Sequence, residues 1–563
     1  MTSPIFALAD DFTTAYARLH PMFAGMAGIK GDFGVASDMG PEATAERAEL
    51  SRDTLAKLNA AASTGAADKP ALGAPPTGAG TNADQLARLH MAERLETELA
   101  LYDAGEWRRA LRVPYGFIQS LCSYVDLAPR GTEGDWRNLV ARIRAVPEMF
   151  ATWRQTMNAG IEAGQTVAHR QVVEGARQAR RNADVRVFDK HLKAYGDGTQ
   201  SRDLKEAAEA AYRAFSAAAE YLEQTYAPHA DPNDGVGEER YLLHARATLG
   251  AALDARDAYD WAWDELHRIE DEMAAEAERI LPGAGLTEVI AHLDATQALD
   301  DHDAYLAWLR EKHDGALAAL NGVHFDIDPR LLDLDVEIVH GSSAGSAYYT
   351  GPSEDLSRPG RTWWPVAERE RFAVWGELTT VFHEGVPGHH LQIGQTKVAG
   401  DGLSRFAKTH GSVSGHAEGW ALYAERLSDE LGWFTEPGTR LGMLKGSALR
   451  AARVVIDIGW HLDLPLPPAE AKRHGDRWNF DVALEVLQSR GRIAAHRARP
   501  EIVRYAGWPG QAICYKLGER AWIAARDEAK AAAGADFDLK AWHTKALNLG
   551  PIGLDNLQSV LRG

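Results

Sequence analysis

Cysteine is almost missing: Cys122 and Cys514 are the only two in 563 residues. Two thiols cannot build a disulfide framework, so packing must hold the chain together, and nothing in this content calls for an oxidising compartment. Positive charge is in deficit as well. Lys and Arg total 61 against 80 Asp and Glu, a formal charge of −19, which repels nucleic-acid phosphates and anionic lipid; neither nucleic acid nor membrane is an expected partner. No segment approaches the roughly 18 uncharged apolar residues that a membrane span needs. The stretch from Met1 to Asp11 has no basic flank, and Asp10 and Asp11 cut its apolar run short. Neither signal peptide nor anchor is therefore expected, and the location reads as cytoplasmic. A G-x-x-x-x-G-K-[ST] loop and a strand-linked G-x-G-x-x-G are both missing, which disfavours a phosphate-binding enzyme. No fixed-period repeat marks a solenoid.

What is present is ordinary globular composition, 45% hydrophobic and 25% charged, in a chain long enough to bury a large core. Apolar residues at three-and-four spacing predict helices over Asp84–Ala104, Ser201–Tyr226, Ala255–Leu281 and Asp303–Leu320, so the expected class is mainly α. The low-complexity stretch Ala60–Asn82, rich in Ala, Gly, Thr and Pro, reads as a mobile surface loop. Near residue 325 the texture changes, and Leu334–Val339 and Arg361–Val366 read as short strands of a small sheet. A helix is then expected from about Glu368 through Phe372–Leu378 into a cluster of unusual residues. The basic stretch His169–Lys193 reads as a solvated helix face.

That cluster runs from Phe382 to Gln392 and contains His383-Glu384, Pro387-Gly388 and His389-His390. It resembles the H-E-x-x-H helix, in which two histidines four residues apart bind zinc while the Glu polarises a water. Proline occupies position 387, where the second His would stand. On a regular helix His389 lies about 120° round from His383, and His390 is realigned but about 10 Å along the axis. Pro387 and Gly388 must kink or bulge the helix; a two-residue expansion would carry His389 into the ligand slot, with His390 as its substitute. Three histidines and a carboxylate within eight residues of an apolar helix are costly to bury without a metal or partners. A third ligand, from a second helix, fits the rule that catalytic zinc has three protein ligands and one open position. Glu418, in Gly415–Glu425, follows His383 by 35 residues, with a turn through Ala399–Gly402 between. Glu425 is the fallback ligand or an orienter of a ligating His.

At this point the sequence resembles the bacterial "domain of unknown function 885" family, whose members look like metallopeptidases related to carboxypeptidase Taq, neurolysin and angiotensin-converting enzyme. The resemblance rests on H-E-x-x-P-G-H-H at His383–His390, E-G-W-A-L-Y-A-E at Glu418–Glu425 and R-x-x-x-D-x-G-x-H at Arg453–His461. It extends to P-G-Q-A-x-x-Y-K at Pro509–Lys516, L-x-x-G-P-I-G-L-D-x-L at Leu547–Leu557, and the opening from Ala9 through Gly28–Met39. It implies a single metallopeptidase-like unit over 1–563, two-lobed and helical with a deep central cleft and one zinc at its floor. A mostly helical part, 1–325, would precede a motif-bearing part, 326–563, with the small sheet, the metal site and the C-terminal helices.

Peptide hydrolysis also needs an oxyanion donor and a group that anchors the peptide. Tyr515, in a Gly- and Pro-containing turn into a helix, is the donor candidate, with Tyr505 as runner-up. Arg453 shares a helix face with Asp457 and His461 and could clasp a substrate carboxylate in fork geometry; an internal ion pair with Asp457 is its bland reading. Tyr348–Pro352 and the strand through Trp363 and Trp364 precede the motif, where related metallopeptidases lay a peptide along a sheet edge. His20, His90, His229 and His313 carry no functional weight, and Trp420 is expected to pack the ligand helix. The expectation is a zinc metallopeptidase acting on short or unfolded peptides, as a carboxypeptidase or dipeptidase. His383, His389 and Glu418 would hold the metal, with Glu384 as general base and then proton shuttle, and Tyr515 and Arg453 beside them. Its alternatives are a non-peptide amide or ester metallohydrolase and a catalytically inactive peptide-binding protein.

Overall fold

The computed structural model describes residues 3–31, 33–64, 83–340, 346–354, 356–366 and 369–561. Helix makes up 70% of it, and among the described residues no helix is long and apolar enough to cross a membrane. The helix Pro41–Thr64 takes up the start of the low-complexity stretch; the rest of that stretch, 65–82, lies outside the described residues. The chain divides into two compact units, one of residues 1–66, 94–237 and 500–509, the other of 67–93, 238–499 and 510–563.

The first unit is built on α1 (Glu133–Glu162), α2 (His169–Asp184) and α3 (Ser201–Tyr221). A capping box starts α1: Thr132 Oγ1 accepts from the Asp135 N–H at 3.1 Å and the Asp135 carboxylate accepts from the Thr132 N–H at 2.9 Å. Leu139, Ile143, Val146, Phe150, Trp153 and Met157 then recur at three-and-four spacing and are buried against Phe215 and Leu222. The expected helix Ser201–Tyr226 ends its α-helical part at Tyr221 and continues as a wider π turn, Leu222–Tyr226.

In the second unit, α4 (Ala255–Ile280) and α5 (His302–Leu320) begin at Asp254 and Asp301, whose carboxylates accept from the first helical N–H groups. Strand β1 (Ala298–Leu299) lies between them. Strands β2 (Leu334–Val339), β3 (Tyr348–Thr350) and β4 (Gly360–Pro365) form a sheet in the order β2-β4-β3, with β2 parallel and β3 antiparallel to β4. The strand bearing Trp363 and Trp364 is therefore flanked on both sides, and the sheet edge near the motif belongs to β3. Here the structure corrects the expected helix from Glu368: Phe372–Ala373 is strand β5, paired antiparallel with β1, and Val374–Gly376 is a 3-10 turn. The Phe372 ring stacks on Tyr305 at 4.2 Å in a core shared with Leu309, Val336, Trp364 and Val381. Burying that ring against α5 outweighs the helical spacing of the segment.

Among its further helices, five matter for the motif: α6 (Leu378–Glu384), α7 (His389–Val398), α8 (Ser414–Glu430), α9 (Thr439–His461) and α10 (Cys514–Ala533). The connection from α7 to α8 holds a further short helix, Arg405–Thr409, beyond the simple turn expected at Ala399–Gly402. α8 and α10 approach backbone to backbone: a Cβ on Gly518 would fall 2.2 Å from the Gly415 carbonyl oxygen and 2.6 Å from the Gly419 Cα. By contrast, a Cβ on Gly315 in mid-α5 would meet nothing within 4 Å. In urea melts, Gly518→Ala is expected to lose about 2 kcal/mol or more, while Gly315→Ala gains about 0.5–1 kcal/mol.

Candidate metal centre

The motif does not continue as one helix. α6 stops at Glu384 and α7 starts at His389, because Pro387 has no N–H to give and the chain folds back on the end of α6. The Gly388 N–H donates to the Phe382 carbonyl at 3.0 Å, and the His390 N–H to that of Gly385 at 3.0 Å. A Cβ on Gly388 would lie 2.0 Å from the His383 carbonyl oxygen, so only glycine fits. Two side chains brace this turn. Trp420 Nε1–H donates to the Pro387 carbonyl at 2.7 Å, and the His313 ring packs where a Cβ on Gly385 would come within 2.3 Å of its Nδ1. The turn sets the His389 ring beside that of His383, centroids 4.8 Å apart and planes at 83°.

Glu418 reaches this pair from α8. Its Oε2 lies 3.4 Å from His383 Nε2 and 3.4 Å from His389 Nε2, and one ligand atom from each of the three residues lies within 4.8 Å of the others. Two N or O ligands about 2.0–2.1 Å from a tetrahedral zinc are separated by about 3.4 Å, so the Glu418–His spacing suits that ion. It does not suit direct pairing, in which charged N–H···O contacts run about 2.7–2.9 Å. Glu418 Oε2 and His389 Nδ1 are buried without a hydrogen-bond partner among the described residues, a costly state that a cation at Oε2 would relieve. Two imidazoles and a carboxylate are a zinc donor set, and the residues fit the ion.

The remaining contacts orient and charge the group. His383 Nδ1–H donates to Glu425 Oε1 at 2.8 Å, which leaves Nε2 to face Glu418. Thr379, one turn before His383 on α6, donates its hydroxyl to Glu425 Oε2, and an Arg450 guanidinium nitrogen lies 3.8 Å from Glu425 Oε1. Burial alone would lower the His383 imidazole, but the neighbouring carboxylates of Glu418 and Glu425 outweigh it and push the group up to about 10. Burial would raise Glu418, yet the two histidines hold it well below the usual carboxylate range. Burial raises Glu384, against the pull of His383 and His389. Two buried carboxylates, Glu384 and Glu425, and the half-buried Glu418 around two imidazoles thus favour a cation in their midst, whether a proton on His383 or a metal ion.

His390 is turned elsewhere. Its Nε2–H donates to the Leu331 carbonyl at 2.7 Å, and its Nδ1 accepts from the Tyr349 hydroxyl at 3.0 Å, so it ties the motif to β3. Arg453 and Tyr515 are brought together, with the guanidinium 4.7 Å from the phenol ring centroid. Asp457 Oδ2 accepts from the Tyr241 hydroxyl at 2.8 Å and the Gly510 N–H at 2.9 Å, with His461 3.7 Å from its other oxygen. Tyr505 belongs to the first unit, where its hydroxyl donates to Glu501 at 2.7 Å. Sequence reasoning missed Thr379 and Arg450, and it singled out Tyr349 only within the Tyr348–Pro352 segment and not as a partner of His390. The four-residue spacing of Thr379 and His383 was a usable signal; the other two are joined to the site only by tertiary contact.

Two solved structures share the fold. The crystal structure of "the putative lipoprotein from Colwellia psychrerythraea" is 20% identical and superimposes with a TM-score of 0.79, covering 98% of this chain and 97% of that one. A "putative lipoprotein of unknown function" from Shewanella oneidensis is 18% identical, with a TM-score of 0.74 and 98% of each chain covered. No curated protein matches the sequence. Residues 21–561 match the family described as "Bacterial protein of unknown function (DUF885)", and the chain belongs to that family.

Proposed function

We propose that the protein is a zinc-dependent metallopeptidase acting on short or unfolded peptides, with His383, His389 and Glu418 as metal ligands. The observation that carries this reading is the convergence of three ligand atoms within 4.8 Å, with Glu418 Oε2 buried and unpartnered among the described residues and Glu384 adjoining. The motif's resemblance to those of the carboxypeptidase Taq, neurolysin and angiotensin-converting enzyme group supports the choice of peptide bonds. Zinc there supplies a Lewis acid with one position open to water or substrate.

The chain's own groups do the rest. Glu425 fixes the tautomer and ring plane of His383 through Nδ1, so that Nε2 is the free electron pair. Glu384, its carboxyl raised by burial, takes a proton from the attacking water and passes it to the leaving amine; a carboxyl held nearer neutrality does both steps well. Tyr515 donates from its phenol to the developing oxyanion. Arg453, lying over that ring, clasps a free C-terminal carboxylate, which gives carboxypeptidase or dipeptidase specificity. An extended substrate pairs with the edge of β3.

Elemental analysis of protein purified without a histidine tag or chelator is expected to give about one zinc per chain, lost in His383→Ala and Glu418→Ala. No bound metal after zinc addition and dialysis would sink the reading. Glu384→Gln should keep the metal and lose about 10²–10⁴-fold in peptide hydrolysis. Turnover of non-peptide amides or esters alone, or tight peptide binding without turnover in the wild type, would replace the peptidase with one of those activities. Glu425→Ala should weaken zinc binding by about 10–100-fold in a chelator competition.

A further inference from the structure

A cavity of about 280 Å³ lies among α4, α8, α9 and α10. Its walls are largely apolar, from Trp261, Ile269, Met443, Leu444 and Ile523, and four cations also line it: Arg268, Arg426, Lys516 and Arg520. Two of these are spent on the cavity's own acids. Lys516 Nζ donates to Ser447 Oγ at 2.9 Å and Glu519 at 2.5 Å, and lies 2.9 Å from Glu265. Arg268 grips Glu265 at 2.6 and 2.8 Å and also donates to Glu272.

Arg426 and Arg520 are less fully engaged, although the charge of Arg426 also acts on Glu272. Arg520 stands over Trp261, 4.7 Å from the ring centroid, with Asp257 at 3.3 Å in an exposed pair. Arg426 comes only within 3.8 Å of Asp429, whose oxygens already accept from Arg440 at 3.0 and 3.3 Å. Among the described residues Arg426 forms no hydrogen bond. It follows Glu425 on α8 and so points about 100° away from it; none of His383, Glu384, His389 and Glu418 lines the cavity, although the charge of Glu425 acts on Glu519 in its wall.

We propose that this cavity binds a small monocarboxylate with an apolar tail, the carboxylate held by Arg426 with Arg520 and the tail against Trp261, Met443 and Leu444. A guanidinium fork matches a carboxylate in two parallel hydrogen bonds. The apolar walls take the tail, and the volume sits just under the roughly 300–1,000 Å³ of drug-sized sites, so the ligand is small. Glu265 and Glu519 disfavour a dianion such as phosphate in the same space.

The test is isothermal titration calorimetry of the full chain with hexanoate and, separately, inorganic phosphate. Hexanoate should bind one to one with Kd between about 10 µM and 1 mM. Arg426→Gln should weaken it at least about tenfold. Ala524→Trp, which fills the cavity and keeps every charge, should abolish it, with folding of both variants checked by circular dichroism. Binding should persist after dialysis against a chelator. No isotherm up to about 10 mM hexanoate, loss of binding on chelation, tighter binding of phosphate, or binding unchanged in both variants would each overturn the proposal.

Discussion

The site depends on the chain folding back between Glu384 and His389. A continued helix would leave His389 about 120° from His383; instead Gly388 passes so close to the His383 carbonyl that a Cβ there would lie 2.0 Å from it. Proline removes the donor that would continue the helix, and glycine allows the close pass. The turn is then held from outside. Trp420 on α8 donates to the Pro387 carbonyl, so the helix that brings Glu418 also braces the turn that places His389. Both therefore follow from the seating of α8, which in turn rests on the backbone contact of Gly415 and Gly419 with Gly518 of α10.

Electrostatics set a second constraint. Glu384, Glu418 and Glu425 sit around two imidazoles in a largely buried volume, with Arg450 the cation beside Glu425. Negative charge out of water is stable only with a compensating cation close by. Without a metal, the carboxylates favour a proton on His383, the same demand that a divalent ion would meet with better geometry. α8 has different chemistry on its two sides: Glu418 and Glu425, seven residues apart, face the histidines, while Arg426 lines an apolar cavity with cations at its wall.

Much of the fold was legible in the sequence because local spacing determines it. The helix expected over Ala255–Leu281 ends one residue earlier, at Ile280, and the strand expected at Leu334–Val339 has those bounds. In both, apolar periodicity and flanking polar residues point the same way. The segment from Glu368 to Leu378 was misread because its spacing suits a helix, whereas the pairing of Phe372 with Leu299 and its stacking on Tyr305 join residues about 70 positions apart. Contacts of that kind leave no periodic trace.

The sequence by itself determined the mainly α class, the family, and the residue types at the motif, since these depend on composition, spacing and a string of identities. Which histidine faces Glu418 was a matter of tertiary structure, because His389 and His390 are neighbours in sequence and only the turn's path separates them. The path sends His390 to the Leu331 carbonyl and the Tyr349 hydroxyl and His389 to Glu418. Tertiary structure likewise distinguishes the positions of Glu418 and Glu425. Both lie on one face of α8, and their positions along the helix put one against Nε2 and the other against Nδ1 of a single imidazole.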